Sequence, residues 1–248
     1  MKIVLLGDSI TQGLGSKKIN FTGELQALRC VDTIINMAMT GTTIEYAYEH
    51  LNEVINEKPD IVIILYGNVD AQIRPNRNGR IFKLLPPRFA HKDGSMLLPR
   101  PFYSKNWYKN KGQHIENIMR TVFREVIYVV DGKEQWLYLK KFGKLYTDVC
   151  TILKNNNIKV ICCSTVYIDE ELFCGSNEEY KKYNQCIYKI SLNCEFSYLD
   201  LYNNLKKLVE EYGWYKIYNY DHFHPKGFGY KKMALWINEE IEKLRVKG

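Results

Sequence analysis

Three things are missing from this 248-residue sequence, and each narrows what the chain can be. No apolar run is long enough to cross a membrane. The opening run, residues 3–6, stops at Gly7-Asp8 and is too short for a signal-peptide core. The expectation is therefore a cytoplasmic protein with no membrane partner. No Cys-x-x-Cys pair occurs among the cysteines at 30, 150, 162, 163, 174, 186 and 194, and their number is odd. Free buried thiols in a reducing compartment fit better than disulfides or a zinc site. No internal repeat or linker divides the chain. One domain over residues 1–248 is expected, long enough to bury a sizeable core.

Acidic residues are scarce in one place. From Gln72 to Gly112, ten Lys/Arg face one acid, Asp93. That segment carries +9 in a chain of net charge +7, so the rest carries −2. Phe82, Phe89, Phe102, Tyr103, Trp107 and Tyr108 are interleaved with the cations. Such a stretch suits an anionic partner. It equally suits a solvated loop whose aromatics pack on the domain. No nucleic-acid partner is expected.

What is present alternates. Ile3–Leu6 reads as a buried parallel strand. Leu25 and Leu28 predict a helix to about Cys30, and Thr33–Ala38 a second strand. Ile44, Ala47, Tyr48, Leu51, Val54 and Ile55 recur at helical spacing until Pro59. Asp60–Tyr66 is the clearest strand. A β-α-β-α-β start with right-handed crossovers makes a parallel sheet. Prolines at 75, 86, 87, 99 and 101 then predict loop or short turns. Helices follow over about Gln113–Val130 and Lys133–Asn155. Ile158–Ser164 and Phe196–Leu201 are further strands, with a helix at Glu178–Asn193 between them. A helix near Asn203–Tyr212 comes next. Pro225 is placed in the first turn of a last helix, whose apolar face is Met233, Trp236, Ile237, Ile241 and Leu244. The fold class is α/β: a doubly wound three-layer α/β/α sandwich with about five parallel strands. Residues 71–155 form a basic, aromatic-rich excursion from it.

The chemistry sits at the two ends. Gly7-Asp8-Ser9 leaves the first strand at its carboxyl end, where open α/β sheets bind ligands. Asp221 precedes His224 by three residues, so its carboxylate can orient the imidazole, which can take a proton from a serine. Ser9, Asp221 and His224 are thus candidate nucleophile, orienter and base. Asp8 is read as a cap or turn residue without a catalytic role. His222 is the rival to His224, and a His-x-His pair can bind metal. Apart from Asp221, read as the orienter, no acidic or cysteine third ligand lies nearby, so metal is the weaker reading and no cofactor is expected. His50, His91 and His114 have no constellation and are read as surface residues.

In these segments the chain resembles the SGNH (GDSL-type) esterases and acyltransferases. Gly7-Asp8-Ser9-Ile10-Thr11 matches the nucleophile block, and Asn36 to Thr43 the block that supplies the Gly41 amide. Asp221 and His224 match the last block. Gly67-Asn68-Val69-Asp70 matches the third block incompletely: Val69 occupies the place of an asparagine that donates to the oxyanion. Asn68 is one residue early, and in a strand-like stretch would face the other way. The oxyanion hole then rests on the Ser9 and Gly41 amides, or Asn68 reaches in through a loop. Asp70 either caps a helix or orients groups at a substrate site, to which Arg74 is also assigned. The resemblance implies the flavodoxin-like SGNH fold and hydrolysis of a short acyl ester through an acyl-enzyme. The implied substrate is a small-molecule or carbohydrate ester, acetylated sugar included, neutral or anionic. An acyltransferase with the same three residues, or a weakly catalytic glycan-binding module, are the other readings.

Overall fold

The computed structural model describes residues 1–14, 20–90 and 95–246. Gly15, His91, Lys92 and Asp93 lie outside the described residues. The chain opens with β1 (Lys2–Gly7), α1 (Ser9–Gln12), α2 (Phe21–Leu28) and β2 (Thr33–Asn36). Next come α3 (Ile44–Glu49), α4 (Leu51–Asn56), β3 (Ile61–Leu65) and α5 (Asn68–Ala71). The middle holds β4 (Arg74–Pro75), α6 (Arg80–Lys83), α7 (Pro87–Ala90), a 3-10 turn (Ser95–Leu97), α8 (Trp107–Val130) and β5 (Lys133–Glu134). Then follow α9 (Leu139–Asn155), β6 (Lys159–Cys163), α10 (Ser176–Cys194) and β7 (Ser197–Leu199). The chain closes with α11 (Leu201–Tyr212), α12 (Trp214–Ile217) and α13 (Gly227–Val246).

Five strands form one parallel sheet in the order β2-β1-β3-β6-β7. The middle strands are continuous apolar runs, and Ile3–Leu6, Ile61–Leu65 and Val160–Cys163 are buried throughout. Strands so composed need both sheet faces covered. On one face α2 packs on α13. On the other α9 packs on α10 and α3. The chain goes outward from β1 to β2 and then returns past β1 to β3. Right-handed crossovers that reverse direction place their helices on opposite faces. They also open a crevice at the carboxyl ends of β1 and β3, the place where such sheets bind ligands. This is the expected five-stranded parallel sheet flanked by helices.

Several boundaries differ from the sequence expectation, each for a local reason. The helix expected from Gln113 begins at Trp107, because Asn106 caps it by accepting from the Lys109 N–H at 3.2 Å. Of its periodic apolar residues, Ile115, Ile118, Met119, Val122 and Val126 are exposed, Phe123 is half-buried and Ile127 is buried, and Arg120 and Arg124 also face inward. The helix expected from Lys133 begins at Leu139, because Lys133–Glu134 pair antiparallel with Arg74–Pro75. Trp136 is therefore not helical. α9 lies within the sandwich, so what leaves the sheet layers ends before it, short of residue 155. Pro225 precedes α13, bridged to Tyr218. Cys30 and Cys174 are exposed rather than buried, and Cys186 is half-buried.

The basic segment folds on itself. Phe82, Leu85, Phe89, Leu97 and Ile127 form a small separate core. Glu116 takes Arg88, Arg100 and Arg120 at 2.6–3.0 Å, so part of the +9 is neutralised locally. The Asp131 carboxylate accepts from the N–H groups of Arg80, Ile81 and Phe82. No described helix is long and apolar enough to cross a membrane.

The exit from β1 depends on Gly7. A Cβ there would lie 2.1 Å from Thr11 Oγ1 and 2.9 Å from the Leu65 carbonyl oxygen of the neighbouring strand. The threonine can move, but the strand carbonyl cannot. Gly7→Ala should therefore destabilise the fold by about 1–3 kcal/mol, the usual range for overpacking, read as a lower urea midpoint.

Candidate active site

Ser9 is the first residue of α1, directly after the β1 exit. Asp8 caps that helix, accepting from the Ile10 N–H at 2.9 Å. Asp221 and His224 lie in the loop between α12 and α13. That loop is closed at its base. Asn219 donates its backbone N–H to the His224 carbonyl at 2.9 Å, and its side-chain amide to the His224 and Pro225 carbonyls at 3.0 and 3.2 Å. Asp221 Oδ1 accepts from the N–H groups of Phe223 and His224, both at 3.1 Å. An Asx turn of this kind fixes the aspartate relative to its own loop.

The three side chains meet. His224 Nδ1 lies 2.5 Å from Asp221 Oδ2, and Nε2 lies 2.9 Å from Ser9 Oγ. An ionised carboxylate can only accept, so the proton is assigned to Nδ1 and the Nε2 lone pair faces the serine hydroxyl. All three residues are buried, yet all three line one cleft of about 970 Å³.

His222 is turned away. Its Nδ1 lies 2.6 Å from Asp169 Oδ2, its ring stacks on Trp214 at 4.9 Å, and its backbone has φ of +49°. Among the described residues no group of three or more His, Cys, Asp or Glu could hold a metal ion. His50 is half-buried against Tyr46, and His114 stacks on Tyr103.

Gly41 lines the cleft with φ of +77°, a conformation that favours glycine. Space is not the reason, since a Cβ there would meet nothing within 4 Å. Val69 faces the cleft and Asn68 does not. Asn68 Nδ2 donates to Asp8 Oδ2 at 3.1 Å, and its Oδ1 accepts from the Val166 N–H at 2.8 Å. The expected orientation is observed, but the reason differs. Both residues belong to the first turn of α5, not to a strand. Asn68 does not reach in as a third oxyanion donor.

Asp70 is also displaced from its assigned role. It is fully buried and does not line the cleft. Its oxygens accept from the N–H groups of Ile44 and Gly67, both at 2.9 Å, which ties α5 to the start of α3. Arg74 does line the cleft, nearly buried, with its guanidinium 3.8 Å from the Trp136 ring centroid. Burial pulls it down to about 10. Arg77 lines the cleft, whereas Arg80 is exposed outside it. Gln72, Arg100, Arg120 and Trp136 also line the cleft, and Asp169 holds His222. Of these, Arg100 belongs to the basic segment, and Gln72, Arg120, Trp136 and Asp169 were not singled out from the sequence. The two-residue β4–β5 pairing that presents Trp136 has no periodicity to detect.

With this geometry in hand, the comparisons are specific about family. Residues 5–232 match the GDSL-like lipase/acylhydrolase family, and the chain belongs to it. It is accordingly a hydrolase. A comparison with curated proteins found no match. Among solved structures, the chain is similar to a lipase/acylhydrolase from Enterococcus faecalis, at 19% identity and a TM-score of 0.62, over 98% of this chain and 95% of that one. A catalytic mutant of an acetylxylan esterase from Geobacillus stearothermophilus matches at 15% identity and 0.62, over 97% and 93%. A further acetyl xylan esterase matches at 17% identity and 0.61, over 96% and 98%. At these identities the likeness is one of fold.

Burial raises the carboxyls of Asp8 and Asp70 from 3.8 to about 6 and about 7. The folded chain therefore keeps protons that the unfolded chain releases near pH 4. This contribution to stability is complete below that pH and is lost as pH rises to 6 and 7. Asp70→Asn cannot ionise, and its amide can accept from only one of the two N–H groups. It should cost about 1–3 kcal/mol, with a larger deficit from wild type at pH 4.5 than at pH 8. Urea unfolding at both pH values measures this.

Proposed function

We propose that the chain is a serine-dependent carboxylic ester hydrolase that removes a short acyl group, acetyl in particular, from a carbohydrate. The observation that carries this is the hydrogen-bonded chain from Ser9 Oγ through His224 to Asp221, opening on a deep cleft. Ser9 Oγ attacks the ester carbonyl carbon while His224 Nε2 takes its proton. Asp221 stabilises the imidazolium and keeps the ring oriented. Collapse of the tetrahedral intermediate expels the sugar alcohol, which takes the proton back from Nε2. Water then attacks the acyl-enzyme by the same route, and acetate leaves.

The negative charge on the intermediate is met by the N–H groups of Ser9 and Gly41. No described residue takes up the Gly41 N–H as a hydrogen-bond donor. Val69 adds no third donor. The preference for an acetylated sugar is supported by the acetylxylan esterases among the similar structures. Four arginines line the cleft, but Arg100 and Arg120 are drawn to Glu116 and Arg77 to Glu134, so the cleft suits neutral as well as anionic sugars.

A fluorophosphonate probe should label Ser9, with the adduct located by peptide mass spectrometry. An adduct on another serine, with Ser9 untouched, sinks the reading. On p-nitrophenyl acetate, His224→Ala should lower kcat by about three orders of magnitude or more. His222→Ala should keep most of the activity, since its ring pairs with Asp169 instead.

Val69→Asn tests the oxyanion hole. One hole donor is typically worth about 2.7–4 kcal/mol. The variant should keep or raise kcat, because the new amide enters the cleft wall beside the developing charge. A fall in kcat with unchanged thermal unfolding would mean that the valine shapes the site instead.

A further inference from the structure

On the reading that the cleft holds a carbohydrate ester, we infer that Gln72 and Trp136 form a subsite for a sugar hydroxyl on the carbon next to the acylated one. The starting point is two polar atoms without partners. Gln72 Oε1 and Trp136 Nε1 are shielded from water and find no hydrogen-bond partner among the described residues. Both side chains line the cleft that holds Ser9 and His224, and Gln72 is 1% exposed. Native proteins leave few such groups, and each unmet one costs about 1–3 kcal/mol.

The two atoms are complementary in kind. The indole nitrogen can only donate and the amide oxygen can only accept. A hydroxyl does both. The two residues also lie at the same end of the β4–β5 ribbon, Gln72 two residues before Arg74 and Trp136 two residues after Glu134. The segments stay joined there, since Leu137 N–H donates to the Asp70 carbonyl and Gln135 Nε2 to the Ala71 carbonyl at 3.2 Å. The Arg74 guanidinium stacked on the indole fixes the plane in which Nε1 points. The terminal torsion of glutamine is broad, so its oxygen can swing to an occupant of the cleft.

Distance from the reacting centre sets which hydroxyl is taken. Gln72 is the C-cap of α5, three residues after Val69, and both line the cleft. Three residues of helical rise span roughly 4.5 Å. Val69 stands in the cleft wall with Ser9 and Gly41. So short a span suits a hydroxyl on the carbon beside the ester better than one on the next sugar. The O–H donates to Gln72 Oε1, and its oxygen accepts from Trp136 Nε1. The class selected is a pyranoside with a free hydroxyl adjacent to its acetyl ester.

The test compares a monoacetylated methyl β-xylopyranoside, whose neighbouring hydroxyl is free, with its deoxy analogue lacking that hydroxyl. In wild type, kcat/KM should favour the hydroxyl-bearing ester by about tenfold or more. In Gln72→Leu and in Trp136→Phe the ratio should collapse toward one. A ratio equal in wild type and both variants overturns the subsite. A second measurement does not depend on catalysis. In Ser9→Ala protein, the Trp136 indole N–H resonance, identified by its loss in Trp136→Phe, is followed while unacetylated methyl β-xylopyranoside is added. Movement of that resonance is expected, and no movement overturns the subsite even if esters are hydrolysed. Movement in a protein that hydrolyses none of the esters keeps the subsite and refutes the hydrolytic reading.

Discussion

One buried amide holds the site together. Asn68, in the α5 turn just beyond β3, donates to Asp8 just beyond β1 and accepts from Val166 beyond the end of β6. Three adjacent strands are thereby tied at their carboxyl ends, on the side where the crevice opens. Asp8 in turn caps the helix that begins with Ser9. Asp70, two residues after Asn68, extends the tie to the start of α3. The Tyr180 hydroxyl donates to the Asn68 carbonyl at 2.7 Å and brings in α10. Ser9 owes its position to groups that never meet a substrate. Polar networks of this kind are stabilising only when every member is satisfied, and this one is buried beneath the cleft floor.

Those parts of the molecule whose signals are local could be read from the sequence. The buried strands are continuous apolar runs, and they alternate with helical spacing, which leaves few topologies for a parallel sheet. Ser9 follows its strand directly, and Asp221 precedes His224 by one turn. The cleft walls were not legible, because they come from residues far apart in the chain that a two-residue strand pair brings together. Residues 68 and 69 show how a correct orientation can follow from a wrong premise. In a strand neighbours face opposite ways, and in a helix they differ by about 100°. Either geometry sends the two side chains apart.

The middle segment shows a different limit. Its helical periodicity identified α8 but not its inner face. Most of the apolar residues are exposed, and Arg120 and Arg124 are turned inward beside Ile127. Glu116 decides this, because its carboxylate gathers three guanidinium groups and draws that side of the helix onto the domain. A count of charges could not show that a single acid would organise so many of the cations.

The bond between Ser9 and His224 joins residues 215 positions apart. In a chain made from its amino terminus, the serine is made well before the histidine. The β1 exit and its cap are local and can form early. The hydroxyl stays an ordinary alcohol until α13 docks against α2 and carries the closed 219–225 loop into place. On the proposed reading, a chain that breaks between the two residues contains Ser9 without the base that would activate it.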